Sequence, residues 1–204
     1  YLHVTTPASG LPQMNTTRAW NIADESALDE VDILVFQYVN NTYEYQYSVK
    51  AMNISSTGTN TYTFNARIIA NESALKIYLV ANSSDVINNL SAGDTENNVK
   101  TKIIESYPAT GLENNLPMFG EIEFPSGLTT DEDQIPAILL RSVARVDVIN
   151  NATTNFTMTS VQFYRANNRI QNLPNAVTDT VVTTHSIPSG TSTTINPDAL
   201  YING

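Results

Sequence analysis

Cysteine is absent from the 204 residues. That removes disulfide staples, thiolate metal sites and cysteine nucleophiles together, while leaving the redox compartment unnamed. Positive charge is scarce: ten Lys and Arg stand against twenty Asp and Glu, a formal net charge of −10. A surface with no basic cluster repels nucleic-acid phosphates and an anionic membrane face, so neither is expected as a partner. Charged residues of both signs make up only 15% of the chain, and its surface is mostly Asn, Thr and Ser, a texture that suits an exported protein better than a cytosolic enzyme. No apolar run reaches the roughly 18 residues that a membrane-spanning helix needs. No signal peptide is visible at Tyr1, as expected of a sequence that begins after processing.

The motifs of catalysis are missing as well. His3 and His185 are the two histidines, and neither has the HxxxH or His-acid spacing of a metal site, nor a serine or carboxylate at a diagnostic offset. There is no GxSxG elbow, P-loop or GxGxxG. The acid run Asp131, Glu132, Asp133 lacks the glycine and spaced Asx residues of an EF-hand loop and reads as a solvated loop. A glycosidase needs two facing carboxylates, and twenty acids make such a pair impossible to nominate. The expectation is therefore no catalytic residue, no metal and no cofactor.

What is present is β-strand. With 41% hydrophobic residues, the chain has enough apolar surface for one or two β domains. VDILVFQYVN (31–40) is β-branched and aromatic, a central strand candidate. TYEYQYSVKAM (42–52) places Tyr43, Tyr45, Tyr47 and Val49 at period two, with Glu44, Gln46 and Ser48 on the other face. Asn40 and Asn41 form the turn between them, because Asn tolerates positive φ. NTYTFNARIIA (60–70) alternates Tyr62, Phe64, Ala66 and Ile68, ALKIYLVANSS (74–84) is a fourth strand, and LPMFGEIEFPSG (116–127) a short one. Asp85 to Tyr107 carries helix-like apolar offsets and predicts one or two short helices in a crossover loop. FTMTSVQFYRANN (156–168) and TDTVVTTHSIP (178–188) add strand signals. Strands at this spacing, with turn residues between them, predict a mostly β sandwich. Residues 1–20, rich in Pro, Ser and Thr, read as a flexible or loosely paired arm with no core contribution before Ile22. The polar stretch NNATTN (150–155) is a candidate boundary, which divides the chain into an arm (1–18), an N-terminal sandwich (19–152) and further strands that begin a second sandwich (153–204).

Two stretches carry more than one reading. The tyrosine row 43, 45, 47 suits the packed row of a sandwich strand better than a platform for sugar rings, though both chemistries use it. LLRSVARVDVIN (139–150) reads as one buried strand. Leu140, Ser142, Ala144, Val146 and Val148 lie on one face, and Arg141, Val143, Arg145, Asp147 and Ile149 on the other. Arg145 and Asp147 are then same-face neighbours, and the long stems of Arg141 and Arg145 cover apolar surface while their heads reach carboxylates or carbonyls. Architecture is the favoured role and ligand binding the alternative. Eight Asn-x-Ser/Thr triplets occur, few more than this composition gives by chance.

LLRSVARVDVIN, followed by FTMTSVQFYRANN and preceded by LPMFGEI and LKIYLVAN, resembles the fimbrillin family of Bacteroidetes-type bacteria. The family supplies stalk, tip and anchor subunits of surface fimbriae. The likeness runs from about Ala19 to Asn175 and rests on the order of the blocks. It implies transthyretin-like, Greek-key sandwiches, export through a lipoprotein signal not present in this sequence, and a place in a fimbrium at the outer membrane. It also implies assembly by donor-strand exchange after an Arg-specific protease removes an N-terminal arm. NTTRAWNIADE puts Arg18 at the matching place, the first Lys or Arg in the chain, so that cleavage before Ala19 releases the arm. The reading without the family is an exposed arginine in a flexible arm. The implied partners are other fimbrial subunits, the processing protease, and host or bacterial surface ligands, with a membrane reached only through a lost lipid anchor. Arg141, Arg145 and Asp147 become a structural motif of the family. A surface glycan-binding lipoprotein using the tyrosine row is the alternative function. A complete fimbrillin has a full C-terminal domain and, in stalk subunits, a C-terminal donor strand. No clear one is visible in DALYING.

Overall fold

The computed structural model describes residues 2–5, 26–106, 115–129, 134–145, 161–163, 169–173, 177–178, 181–182, 193–195 and 201–202. Their strands are β1 (Leu2–Thr5), β2 (Val31–Val39), β3 (Thr42–Lys50), β4 (Met52–Gly58), β5 (Thr61–Asn65), β6 (Leu75–Ala81), β7 (Ile104–Ser106), β8 (Met118–Phe124), β9 (Ile135–Ile138) and β10 (Leu140–Arg141). Beyond them, Ala144–Arg145 pairs with Tyr201–Ile202, Val161–Phe163 with Thr193–Ile195, Val177–Thr178 with Val181–Val182, and Arg169–Gln171 with β7. The fold is the mostly β sandwich that the sequence predicts.

Two sheets carry it: a five-stranded antiparallel sheet in the order β10-β8-β6-β2-β3, and a four-stranded sheet in the order β4-β5-β1-β9. Residues from both, among them Ile33, Val35, Ile77, Leu79, Phe64 and Leu139, form the core between them. The outer face of the five-stranded sheet is covered too. Leu34, Phe36, Tyr45, Tyr78 and Val80 pack there against Val99 and Ile103 at the helix α1 (Glu96–Lys102), and Leu173 joins them. Covering both faces explains why β6, LKIYLVA, is buried at every position and reads as a nearly continuous apolar run. Each fully buried Leu or Ile there contributes about 1.5–3 kcal/mol.

Local chemistry sets the connections. Asn40 (φ 49°) and Asn41 (φ 66°) make the β2–β3 turn, where positive φ at both central residues matches the strand twist. Asp85–Tyr107 resolves into a 3-10 helix Ser84–Asn89, α1 and, within the described part, the short strand β7. Thr95 caps α1 by accepting from the Asn98 N–H, while Glu96 lies in the first turn and Lys100 and Lys102 in the last, each favourable with the helix dipole.

The structure corrects four expectations. The arm is not loosely paired where it is described, because Leu2–Thr5 is an interior strand bonded on both edges. LLRSVARVDVIN is not one strand: the ladders at Leu140–Arg141 and Ala144–Arg145 are separated at Ser142 and Val143. The run begins where the chain leaves β9 for the five-stranded sheet, with Leu139 in the inner core and Leu140 against the outer one, and its next pairing, Ala144–Arg145 with Tyr201–Ile202, is a separate ladder, so it shows apolar residues without following a single face. The tyrosine row does not share a face. A bulge in the β2–β3 ladder shifts the register, so that Tyr47 lies opposite Val35 while Tyr45 lies opposite Phe36; the extra residue, Gln46, turns Tyr43 and Tyr45 outward and keeps Tyr47 and Val49 on the core between the sheets. Finally, NTYTFNARIIA forms a strand only over Thr61–Asn65, and the polar β4 pairs with it without an apolar alternation to announce it.

Candidate functional site

Two places concentrate polar chemistry or unusual topology. The first lies on the outer face of the five-stranded sheet. Lys76 is nearly buried, with its ammonium 2.9 Å from Glu123 and 3.4 Å from both Glu121 and Glu96, and it stands 4.7 Å from the centre of the Tyr43 ring. Glu96 also takes Lys100 at 2.7 Å and the Tyr78 hydroxyl at 2.5 Å. Burial alone would lower the Lys76 pKa, but the hydrogen bond that its ammonium donates to Glu123 and the charges of Glu121 and Glu96 outweigh it and raise the pKa. Burial pushes the Tyr78 hydroxyl up, and its bond to Glu96 pushes it further. Both shifts favour the protonated forms, a charged lysine and a neutral tyrosine, which suit a structural ion-pair network better than a base or nucleophile. The cluster fastens α1 to the sheet.

A smaller group joins Asp32, Ser84, Lys50 and Glu30. The Ser84 hydroxyl donates to Asp32 at 2.5 Å, and the Lys50 ammonium lies 3.2 Å from the same hydroxyl. Burial raises the Asp32 pKa against the opposing Ser84 bond and Lys50 charge. Lys50 is two-thirds exposed and ion-paired with Glu30, so the group reads as a surface ion-pair network around the Ser84–Asp32 bond. Among the described residues no cluster of His, Asp and Glu could hold a metal ion, and no helix is long and apolar enough to cross a membrane.

The second place is the position of β1. Its four residues run antiparallel to β5, pairing Leu2 with Phe64 and Val4 with Tyr62. They run parallel to β9, pairing Leu2 with Ile135 and Val4 with Ala137. Phe64, Tyr62, Ile135 and Ala137 all pack into the core between the sheets, so Leu2 and Val4 occupy core-side levels of the ladder. The next described residue after Thr5 is Ser26. A strand from the far N-terminal end of the chain thus fills an interior place in a sheet whose other members all come from later in the sequence.

Of the residues singled out in the sequence, Arg18, Ala19 and Asp147 lie outside those described, as do Asp131, Glu132, Asp133 and His185. Arg141 sits in β10 opposite Met118, half-buried. Arg145 pairs with Tyr201. Tyr45 is 7% exposed and Tyr47 spends its hydroxyl on the Ile69 N–H at 2.9 Å, which leaves Tyr38 and Tyr43, rings 5.2 Å apart and edge to face, as the aromatic pair near solvent. Sequence reasoning missed β1. Its one signal was the alternation of Leu2 and Val4, too short to stand out.

No family model matches the chain, and no curated protein does. Among solved structures, it is similar to a fimbrial assembly protein from Parabacteroides distasonis, at a TM-score of 0.58 and 14% identity over 99% of this chain and 75% of that one. It is also similar to a protein of the same organism assigned to cell adhesion, at a TM-score of 0.61 and 13% identity over 99% of this chain and 69% of that one. At these identities the likeness is one of fold. It agrees with the resemblance to fimbrillins carried by the sequence blocks.

Proposed function

We propose that this chain is a structural or adhesive subunit of a cell-surface fimbria, joined to its neighbours by exchange of the strand at the β1 position. The observation that carries the reading is that β1, from the first residues of the chain, is an interior strand rather than an edge. Cleavage after Arg18 would cut β1 from the rest of the chain and leave it held by hydrogen bonds and packing alone. Once it departs, the facing edges of β5 and β9 present unpaired N–H and C=O groups beside an apolar groove. A strand from another subunit satisfies both. Bonding along two edges with alternate side chains in the core gives a very slow off-rate without covalent chemistry, and it needs no catalytic residue. The fimbrial and adhesion proteins of the same fold support the surface location and the partnership with other subunits.

Digestion of the full chain with an Arg-specific protease, followed by intact mass and size-exclusion chromatography, tests this. Loss of residues 1–18 with formation of oligomers that survive heat and detergent is the expected result. A product cut at Arg18 that stays an inert monomer overturns it.

A further inference from the structure

The four-stranded sheet has a frame that does not depend on β1. On one side, β5 is held by β4, which continues from β3 through Ala51, whose N–H donates to the Val31 carbonyl at 2.9 Å. On the other, β9 runs through Leu139 into β10, which pairs with β8. Among the described residues the sole ladder partner of β9 is β1. What fixes β9 otherwise is the corner at its end. Gly120 lies opposite Leu79 in the β6–β8 ladder, a level that faces the core. A Cβ there would stand 2.7 Å from the Ile138 carbonyl oxygen and 3.0 Å from Leu139 Cδ2. The missing side chain lets the end of β9 lie directly on the β8 backbone, and Leu139, fully buried, plugs into the core beside it.

Direction matters next. Because β1 is antiparallel to β5 and parallel to β9, β5 and β9 are antiparallel to each other. With β1 gone they have the right polarity to zip together and seal the sheet. We propose that the Gly120–Leu139 corner prevents this by holding β9 two strand spacings, about 9.6 Å, from β5, so that loss of β1 leaves an open slot and not a closed three-stranded sheet. Gly120 is then a positioning residue for assembly. This inference rests on the strand-exchange reading above and adds to it a requirement: the occupant is inserted between two strands, running in the direction of β1, with apolar residues level with Phe64 and with Tyr62.

The test is hydrogen exchange on the full chain after Arg-specific digestion and removal of the cut arm, followed by titration with a synthetic peptide of residues 1–18. The amides of residues 61–64 and of Ile135, Ala137 and Ile138 exchange at least about tenfold faster once the arm is gone, and the peptide restores their protection, while residues 75–81 stay protected throughout. In Gly120→Ala the added Cβ lifts the end of β9, and the affinity of the cut chain for the peptide falls by about tenfold or more with β6 still protected. Should that variant not fold, the wild-type exchange measurement decides alone. Continued protection of residues 61–64 and of Ile135, Ala137 and Ile138 in the cut wild-type chain shows that β5 and β9 have closed on each other and overturns the proposal. Rapid exchange in a cut chain that takes up neither peptide nor another subunit establishes the open slot but sinks strand exchange.

Discussion

The Tyr78 hydroxyl donates to Glu96 at 2.5 Å, tying the first turn of α1 to the middle of the central strand β6. The same carboxylate receives Lys100 and faces Lys76. Burial would raise the Glu96 pKa, but the hydrogen bonds from Lys100 and Tyr78 and the two ammonium charges hold it below the ordinary value. A depressed carboxyl contributes stability above the unfolded pKa, about 4.3 for Glu, and loses it as pH falls through the lower folded value. Asp32, whose pKa is raised, has the opposite sign: its contribution is full at low pH and fades as pH rises through the folded value. Thermal unfolding between pH 3 and 7, chosen to span the ordinary carboxylate range, is expected to show acid destabilisation that Glu96→Gln flattens. The variant costs about 1–3 kcal/mol at neutral pH, because two ammoniums lose a partner. An unchanged acid limb in the variant removes Glu96 from the account.

Asn82 ties together three segments. Its amide donates to the carbonyls of Ala27 at 3.0 Å and Leu116 at 2.9 Å, its side-chain oxygen accepts from the Asp29 N–H at 3.1 Å, and its φ is 57°. Asn82→Ala gives up all three bonds in a backbone region that favours Asn and Gly, for about 2–4 kcal/mol by urea unfolding. Asn82→Gly keeps the backbone and loses only the bonds, so it is the milder of the two.

The bulge at Gln46 predicts unequal tyrosines. Tyr45 packs edge-on against Phe36 at 5.7 Å, and Tyr45→Ala is expected to cost about 3–4 kcal/mol. Tyr43→Ala removes a ring beside Lys76 and Tyr38 at the rim, for about 1 kcal/mol. Equal effects in chemical denaturation contradict the assignment of faces. If the chain binds sugar, the loss belongs to Tyr38 and Tyr43 substitutions and not to a Tyr45 variant that still folds.

His3 is level with Thr63 on one side and Pro136 on the other. Proline at an interior position removes a ladder N–H, so His3→Pro loosens β1 without cutting the chain. Uptake of the free 1–18 peptide by the intact variant, and not by the intact wild type, is the expected outcome on mixing and gel filtration. No uptake by the variant means that weakening β1 is not enough to vacate its place.

The sequence showed most of the five-stranded sheet and little of its partner. VDILVFQYVN and ALKIYLVA declare themselves because their strands are buried on both faces, and Asn40-Asn41 because its turn needs positive φ. The four-stranded sheet hides. Its β4 is polar, β1 is four residues long, and β9 carries Pro136 and merges into a run that changes sheets. Arg141 and Arg145 looked like one face of one strand, yet they belong to separate ladders, since hydrophobic alternation cannot show where a chain leaves one ladder for another. Nothing local to Leu2–Thr5 could reveal its interior place, which is set by partners some 60 and 130 positions away.

The irregular margin of β4 bears on the shape of any polymer. Its pairing with β5 shifts register between Met52 and Ser55 and again between Ser56 and Gly58, and Asn53 sits at φ 55°. Beside it, the rim of β3 is partly occupied, since Tyr45 exchanges backbone hydrogen bonds with Gly93 and Asp94. A rim so interrupted cannot template a regular ladder with a second copy. Lateral recruitment along these two rims is thereby disfavoured, and under the strand exchange proposed above a subunit that accepts a strand at one interior place would have an accepting valence of one and build a thread, not a mat.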